Sequence, residues 1–372
     1  MDQKELLSLI ALQHIPGVGS VTAKRLLESV GSAARIFEHR AELPSMIPSI
    51  QPSLIKALDC SAAHQRAERE LGFIEKHHIT CIGYHDDAYP SRLRECDDAP
   101  SLLYYRGNTT LNPRRVVSVV GTRKCTDYGR DLCENFVRDL ASLCPDVLIV
   151  SGLAYGIDVC AHRAAIKCGL PTVGVLAHGL DRIYPSVHRN TAAQMVGCGG
   201  LLTEYVSNTE PERQNFLQRN RIVAGIADAT IIVESAAKGG SLVTANIANS
   251  YGRDCFTFPG RVTDAASAGC HRLVRHNQSA LITSANDFVE AMMWDTPQKR
   301  TPSNTQQELF PNLTKEENLI VQVLERYAEG ATINTLVVEV GLPVHRISAT
   351  LFELELRDIV RPLAGSVYKL KR

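Results

Sequence analysis

Apolar positions along the chain follow two rhythms, and the change from one to the other divides it. Up to about residue 65, Leu6, Leu7 and Ile10, then Leu26, Leu27 and Val30, recur at helical spacing on either side of "HIPGVGS". From 66 to 295, short apolar runs alternate with helical stretches. The runs at 116–120, 147–150, 172–176, 201–205, 230–234 and 255–258 predict strands of a mostly parallel sheet covered on both faces. Residues 296–314, "TPQKRTPSNTQQELFPNLT", are poor in core residues and read as a linker. Beyond it, Ile333, Leu336, Val337 and Val340 predict one helix. Val344, Ile347, Leu351 and Leu354 predict the next, and "IVRPLAGSVYKLKR" predicts a hairpin around Gly365. Helices followed by a hairpin over 315–372 predict a winged-helix-like unit.

Composition narrows the possibilities. A chain of 372 residues with 44% hydrophobic and 22% charged residues has the balance of a soluble protein of several domains. Lys+Arg and Asp+Glu number 40 each, which excludes a globally basic coat. Any nucleic-acid site must be a local patch. The 11 cysteines form no Cys-x-x-Cys pair, which gives no support to a structural zinc site and suits small core residues in a reducing cytosol. The start, "MDQKELLSLIALQHIPG", reads as an amphipathic helix rather than a signal peptide, and no apolar stretch is long enough to span a bilayer. A cytoplasmic protein with no membrane partner, metal or cofactor is expected.

Candidate chemistry collects at the predicted strand ends. After the run ending at Val120 comes "GTRKCTDYGR", with Gly121, Thr122, Arg123 and Lys124 in the turn and Gly129 further on. A dinucleotide site wants Gly-x-Gly-x-x-Gly and an acid about 20 residues later, and neither is present. A helix start with free N–H groups remains, with Arg123 as a possible bidentate phosphate partner. The next run ends in "SGLAYGIDVCAH", with Gly152 and Gly156. Asp158 and His162 in it are either acid/base groups or a helix-start acid and a hydrogen-bonded histidine. "AHGLDRIYPSVH" adds Gly179 and a possible stacking ring, Tyr184. Between Glu212 and Asp228 there is no acid, but Arg213, Arg219 and Arg221 flank Phe216 and Asn220. Cations around an aromatic suit single-stranded nucleic acid, whose bases stack and whose phosphates pair. The alternative is a solvated helix face with Phe216 in the core. "KGGSLVTANIA" places Ser241 and Thr244 beside another glycine turn. Near the N-terminus "IPGVGS" has the pattern of a helix-hairpin-helix turn. Gly17 and Gly19 could approach a phosphate there with Lys24 one turn on, or could only allow a tight helix crossing.

Six stretches in order, "VVGTRKCTDYG", "SGLAYGIDVCAH", "HGLDRIYPSVH", "FLQRNRIVAGIAD", "GGSLVTANIA" and "FPGR", resemble the DprA family of bacterial DNA-processing proteins, also called Smf. "YPSRLRECDDAPSLLYYRG" resembles its lead-in segment. The resemblance is strong over 70–285. It implies an extended Rossmann-like α/β fold with an N-terminal helical domain (SAM/helix-hairpin-helix-like, 1–65) and a C-terminal winged-helix-like domain. It implies cooperative binding of single-stranded DNA, a homodimer through the Rossmann-like domain, help in loading the RecA recombinase during natural transformation, and no catalysis. By position, Arg123 would hold a DNA phosphate, and Gly152, Gly156 and Gly179 would line the pocket. Phe216, Arg219, Asn220 and Arg221 match the Phe-x-x-Arg-Asn-Arg signature, and Ser241 and Thr244 a Gly-Ser-x-x-Thr-Ala turn. Thr122 stands for the usual turn serine. Gly269-Cys270-His271 and Ser279 depart from the pattern at the far edge of the domain.

An enzyme of the related phosphoribohydrolase-like group is the alternative. No acid occurs between Ser235 and Arg253, so Glu234 would be its carboxylate. A lone carboxylate supports acid/base chemistry poorly. In the last unit, Glu353 and Glu355 with Arg346 and Arg357 give a mixed helix face, poor for phosphates. A protein-contact role is expected there, with Lys369, Lys371 and Arg372 as a weaker route to DNA.

Overall fold

The apolar runs become the centre of a nine-stranded sheet in a computed structural model that describes residues 1–294, 313–327, 330–363 and 366–371. Its strands are β1 (Thr80–Gly83), β2 (Leu102–Gly107), β3 (Val116–Val120), β4 (Leu148–Ser151), β5 (Thr172–Val175), β6 (Gly199–Thr203), β7 (Ala229–Ile232), β8 (Asp254–Thr257) and β9 (Ala280–Leu281). They lie in the order β1-β2-β6-β5-β4-β3-β7-β8-β9. From β6 to β9 every pairing is parallel, whereas β2 runs antiparallel to β6 and β1 antiparallel to β2. The edge strands β1 and β9, and β2 beside β1, carry no alternating signal long enough to stand out in the sequence.

In β3, Val116 and Val120 join the core on one face of the sheet, Val117 and Val119 that on the other. Such an all-apolar strand is what a sheet covered on both sides demands. The chain winds outward from β3 through β4 and β5 to β6, then crosses back to β7 on the other side of β3. That reversal makes a switch point at the carboxyl ends of the strands, where open α/β sheets bind ligands.

The division read at residue 65 falls inside a helix, Ser61–His77. Its Ala63, Ala67 and Ile74 pack into the same core as Leu9, Ile10 and Leu27 of the N-terminal helices and Val116 and Val150 of the sheet. The first two sequence regions therefore form one unit, within Met1–Pro297. The sequence lacks a break here because both sides of residue 65 are helical.

A second unit lies within Gln298–Arg372. The expected linker at 296–314 falls almost wholly outside the described residues. Helix Lys315–Arg326 begins at a capping box in which Thr314 and Glu317 satisfy each other's backbone N–H groups. Helices Ile333–Val340 and Val344–Leu356 follow, bent 111° apart at Gly341, which takes the left-handed conformation with φ 74°. Strands β10 (Ala331–Thr332), β11 (Val360–Leu363) and β12 (Val367–Leu370) form the antiparallel wing. Ile320, Leu324, Leu336, Ile347, Leu351 and Leu354 fill its core. Gly365 and Arg372 lie outside the described residues. Lys371 is paired with Asp358 at 2.5 Å, which weakens the wing's case as a phosphate contact. No single helix among the described residues is long and apolar enough to cross a bilayer.

Candidate nucleic-acid interface

The turn after β3 is held from below. Thr122 donates its N–H to the Glu234 carbonyl at 2.7 Å, and its own carbonyl accepts from Ile157 at 3.2 Å. Helix Asp127–Leu143 then starts at Thr126, whose hydroxyl oxygen accepts from Gly129 N–H. The Glu234 carboxylate accepts from the Thr126 N–H at 2.9 Å and its hydroxyl at 2.7 Å. A Cβ at Gly129 would fall 2.5 Å from that carboxylate, so the glycine makes room for the cap. Glu234 is 3% exposed and works as a structural anion at a helix start. The carboxylate offered to the enzyme alternative is already engaged.

Arg123 stands exposed in this turn, with no hydrogen-bond or ion-pair partner among the described residues. Its guanidinium lies over the ring of Phe216, 5.2 Å from the centroid. Phe216 sits half-buried on helix Arg213–Gly225, and the ring of Tyr184 tilts against it at 5.9 Å. Tyr184 reaches that place because its N–H donates to His178 Nε2 at 3.2 Å, while His178 Nδ1 donates to the Gly179 carbonyl. Burial lowers the His178 pKa and keeps the neutral tautomer that can make both bonds. Gly179 itself is pressed against Ser207 and Asp181, with no room for a side chain. Gly156, at φ 76°, lies against the Thr122 carbonyl and Arg123 backbone, so the second glycine turn fixes the first.

Beneath the rings lies Arg219, 3% exposed. Its Nη1 donates to the Gly152 carbonyl at 2.6 Å and to the Val175 carbonyl, joining the ends of β4 and β5. A Cβ on Gly152 would collide with this guanidinium. Asp158 is buried beside it, held by Ser151 and by the backbone of Ala154 and Gly152. Burial pushes the Asp158 carboxyl up from the usual carboxylate range, and the positive charge of Arg219 opposes the rise. The same burial lowers the Arg219 pKa. His162 is wholly buried and bonded through Nδ1 to Thr172 Oγ1 at 2.7 Å. Asp158 and His162 are therefore a buried carboxyl held by its own turn and a core histidine.

A family model described as DNA recombination-mediator protein A matches residues 80–293, and one described as DprA winged helix domain matches 302–366. The chain belongs to the DprA/Smf family. The DprA protein of Streptococcus pneumoniae is 39% identical over 204 residues, covering 55% of this chain and 71% of the relative. Its X-ray structure aligns with a TM-score of 0.58 over 74% of this chain and 98% of that one, at 31% identity. Protein Smf of Escherichia coli is 31% identical over 82% of this chain and 81% of its own length. A structure of DprA from Helicobacter pylori, described for its single-stranded DNA binding mode, aligns with a TM-score of 0.53 at 28% identity, over 59% of this chain and 97% of that one.

In this DprA/Smf chain the residues read from sequence separate into two groups. Gly121, Thr122, Arg123, Lys124, Gly156, Arg213 and Phe216 belong to the exposed rim or its immediate frame; Lys124 and Arg213 are exposed, and Asn220 is half-buried. Gly152 and Gly179 are buried, and each supports the rim rather than facing it. Arg219 is the floor. Arg221 is engaged elsewhere: it is ion-paired with Glu204, donates to the Asp98 carbonyl, and reaches Ser20 Oγ at 3.0 Å. The acids that take it come from the end of β6 and from the lead-in segment, outside the acid-free window that made it look available. Ser241 is buried against Ser235 Oγ at 2.9 Å, and Thr244 bonds the Gly240 carbonyl, so both serve their own turn. Lys24 donates to the carbonyls of Arg94 and Cys96, which takes it from the "IPGVGS" turn; Gly17 and Gly19 are exposed. Sequence reasoning missed Glu204 and Asp98 as partners, because nothing local links them to Arg221.

Proposed function

We propose that the rim formed by Arg123, Lys124, Arg213, Phe216 and Tyr184 binds single-stranded DNA. The observation that carries this is Arg123, an unpaired exposed guanidinium lying on an aromatic ring at the switch point of the sheet. A cation and two rings at one edge offer a phosphate partner and stacking faces together, which is the chemistry of sequence-tolerant strand binding. The relative from Helicobacter pylori, described for single-stranded DNA binding, supports the reading. As a member of a recombination-mediator family, the chain would protect incoming strands and hand them to a RecA-type recombinase in natural transformation. It would do so in the cytoplasm, as a homodimer through the Rossmann-like domain and without a cofactor. The Glu234 anchor leaves the enzyme alternative without a free carboxylate at this turn. Phe216→Ala tests the reading: it should cost about 1–3 kcal/mol of binding to a thymidine 20-mer if a base stacks there. Normal binding by a variant that unfolds early would instead make Phe216 a core residue.

A further inference from the structure

A second basic recess lies on the same unit, away from the Arg123 turn. A cavity of 510 Å³ opens between helix Ser61–His77 and the loop that follows β6. Arg66, Arg69 and Phe73 line it from the helix, Ser207 and Asn208 from the loop, and His14 from the N-terminal helices. Arg66 and Arg69 are three apart and Phe73 four further on, so all three share one helix face. No carboxylate lines the space. Glu70, on the same helix, is 1% exposed. It accepts from Ser207 N–H at 2.8 Å, Ser207 Oγ at 2.6 Å and Arg66 Nη1 at 3.0 Å. Glu70 thus fixes the loop and the Arg66 fork, whose other arm donates to the Ser207 carbonyl at 2.5 Å. Arg69 is exposed; only its Nε is engaged, by the Gln65 carbonyl at 3.3 Å. One uncommitted guanidinium, Arg69, with an aromatic edge and the Asn208 amide in a space of this size, matches a nucleotide: phosphate on Arg69, base on Phe73, with Arg66 held behind them by Glu70.

The cavity is mechanically joined to the proposed DNA rim. Asn208 N–H donates to Asp181 at 3.0 Å, on the turn that leads to Tyr184. Tyr205, before the loop, bonds the Gln218 side chain on the helix that carries Phe216. We propose that this cavity binds a nucleotide unit through Arg69 and Phe73, as a second subsite beside the first. The unit is either free or part of a longer strand, and the strand source rests on the reading of the rim as a DNA site.

The test compares wild type, Arg69→Ala, Phe73→Leu and Arg123→Ala for binding of dTMP by calorimetry and of a thymidine 20-mer by anisotropy across a salt series. Arg69→Ala removes an exposed side chain, and Phe73→Leu keeps the apolar packing while removing the ring. Loss of roughly tenfold in 20-mer affinity by Arg69→Ala, with a salt slope shallower by about 0.7, supports a strand in the cavity. Loss of dTMP binding alone supports a free nucleotide there. If Arg123→Ala weakens the 20-mer but Arg69→Ala and Phe73→Leu match wild type for both ligands, the cavity proposal is overturned while the rim stands. If wild type binds no 20-mer, the rim reading fails, and only dTMP binding that Arg69→Ala abolishes would sustain the cavity.

Discussion

Arg219→Met separates the buried floor beneath the Phe216 ring from the exposed rim. The substitution keeps an unbranched side chain of similar length but removes the guanidinium. Asp158 then loses its cationic neighbour, and the Gly152 and Val175 carbonyls lose a shared donor. Leaving buried acceptors without their donor costs about 1–3 kcal/mol per group. The two carbonyl losses and the loss of the cation near Asp158 overlap rather than add, since Asp158 and the strand ends can relax together. The loss should depend on pH. Burial already raises the folded-state pKa of Asp158, so its contribution is fully present below the unfolded carboxylate pKa and is lost as pH rises through the folded value. Without Arg219 that folded value rises further. His162 responds in the same direction: Arg219 helps to lower its pKa, so removing the cation eases the cost of acid there. Urea unfolding at pH 5 and pH 8 should show a clearly smaller penalty for Arg219→Met at pH 5. A penalty under about 1 kcal/mol at both pH values, with DNA binding abolished in the folded variant, would refute this reasoning and place Arg219 against the ligand.

Three further outcomes follow from the same geometry. Glu234→Gln should lower stability by about 0.5–2 kcal/mol through the weakened start of helix Asp127–Leu143 and leave DNA binding near wild type; release of free base from nucleoside monophosphates by wild type, abolished in this variant, would restore the enzyme reading. Burial lowers the His162 pKa to about 3, so the wild-type protein should lose about 1.4 kcal/mol per pH unit from this residue as pH falls below 6.5 towards 3. His162→Gln should flatten that slope in urea titrations, and an unchanged slope would show that the ring takes up its proton in the folded state. Arg221→Ala should destabilise the protein by leaving Glu204 buried without its cation, yet keep the salt dependence of DNA binding, which a binding series on the folded variant would check.

The sheet's centre was legible because β3, β4, β5, β7 and β8 are runs of apolar residues set between helices. β9 was not, being a two-residue edge strand, and β1 lies where helical spacing gives way without a turn signal. The glycine turns were legible as places of close backbone approach at the carboxyl end of the sheet, since that is a local requirement that a glycine announces. Pairings across the fold were another matter. "RNR" looked like three exposed donors within an acid-free stretch, but a helix turns successive residues through about 100°. Arg219 and Arg221 therefore point into different interiors, where Asp158 in one case and Glu204 in the other had been placed by distant segments. Arg123 is exposed in the turn after β3, as the sequence pattern expects, because a turn leaves a long cation little to bury against.

Salt-dependent binding to single-stranded DNA by wild type and Arg123→Ala tests the central claim most directly. The account expects the folded variant to bind a thymidine 20-mer more weakly, with the plot of log affinity against log salt shallower by about 0.7, because one phosphate no longer has its cation. Equal affinity and equal slope in the two proteins would contradict it.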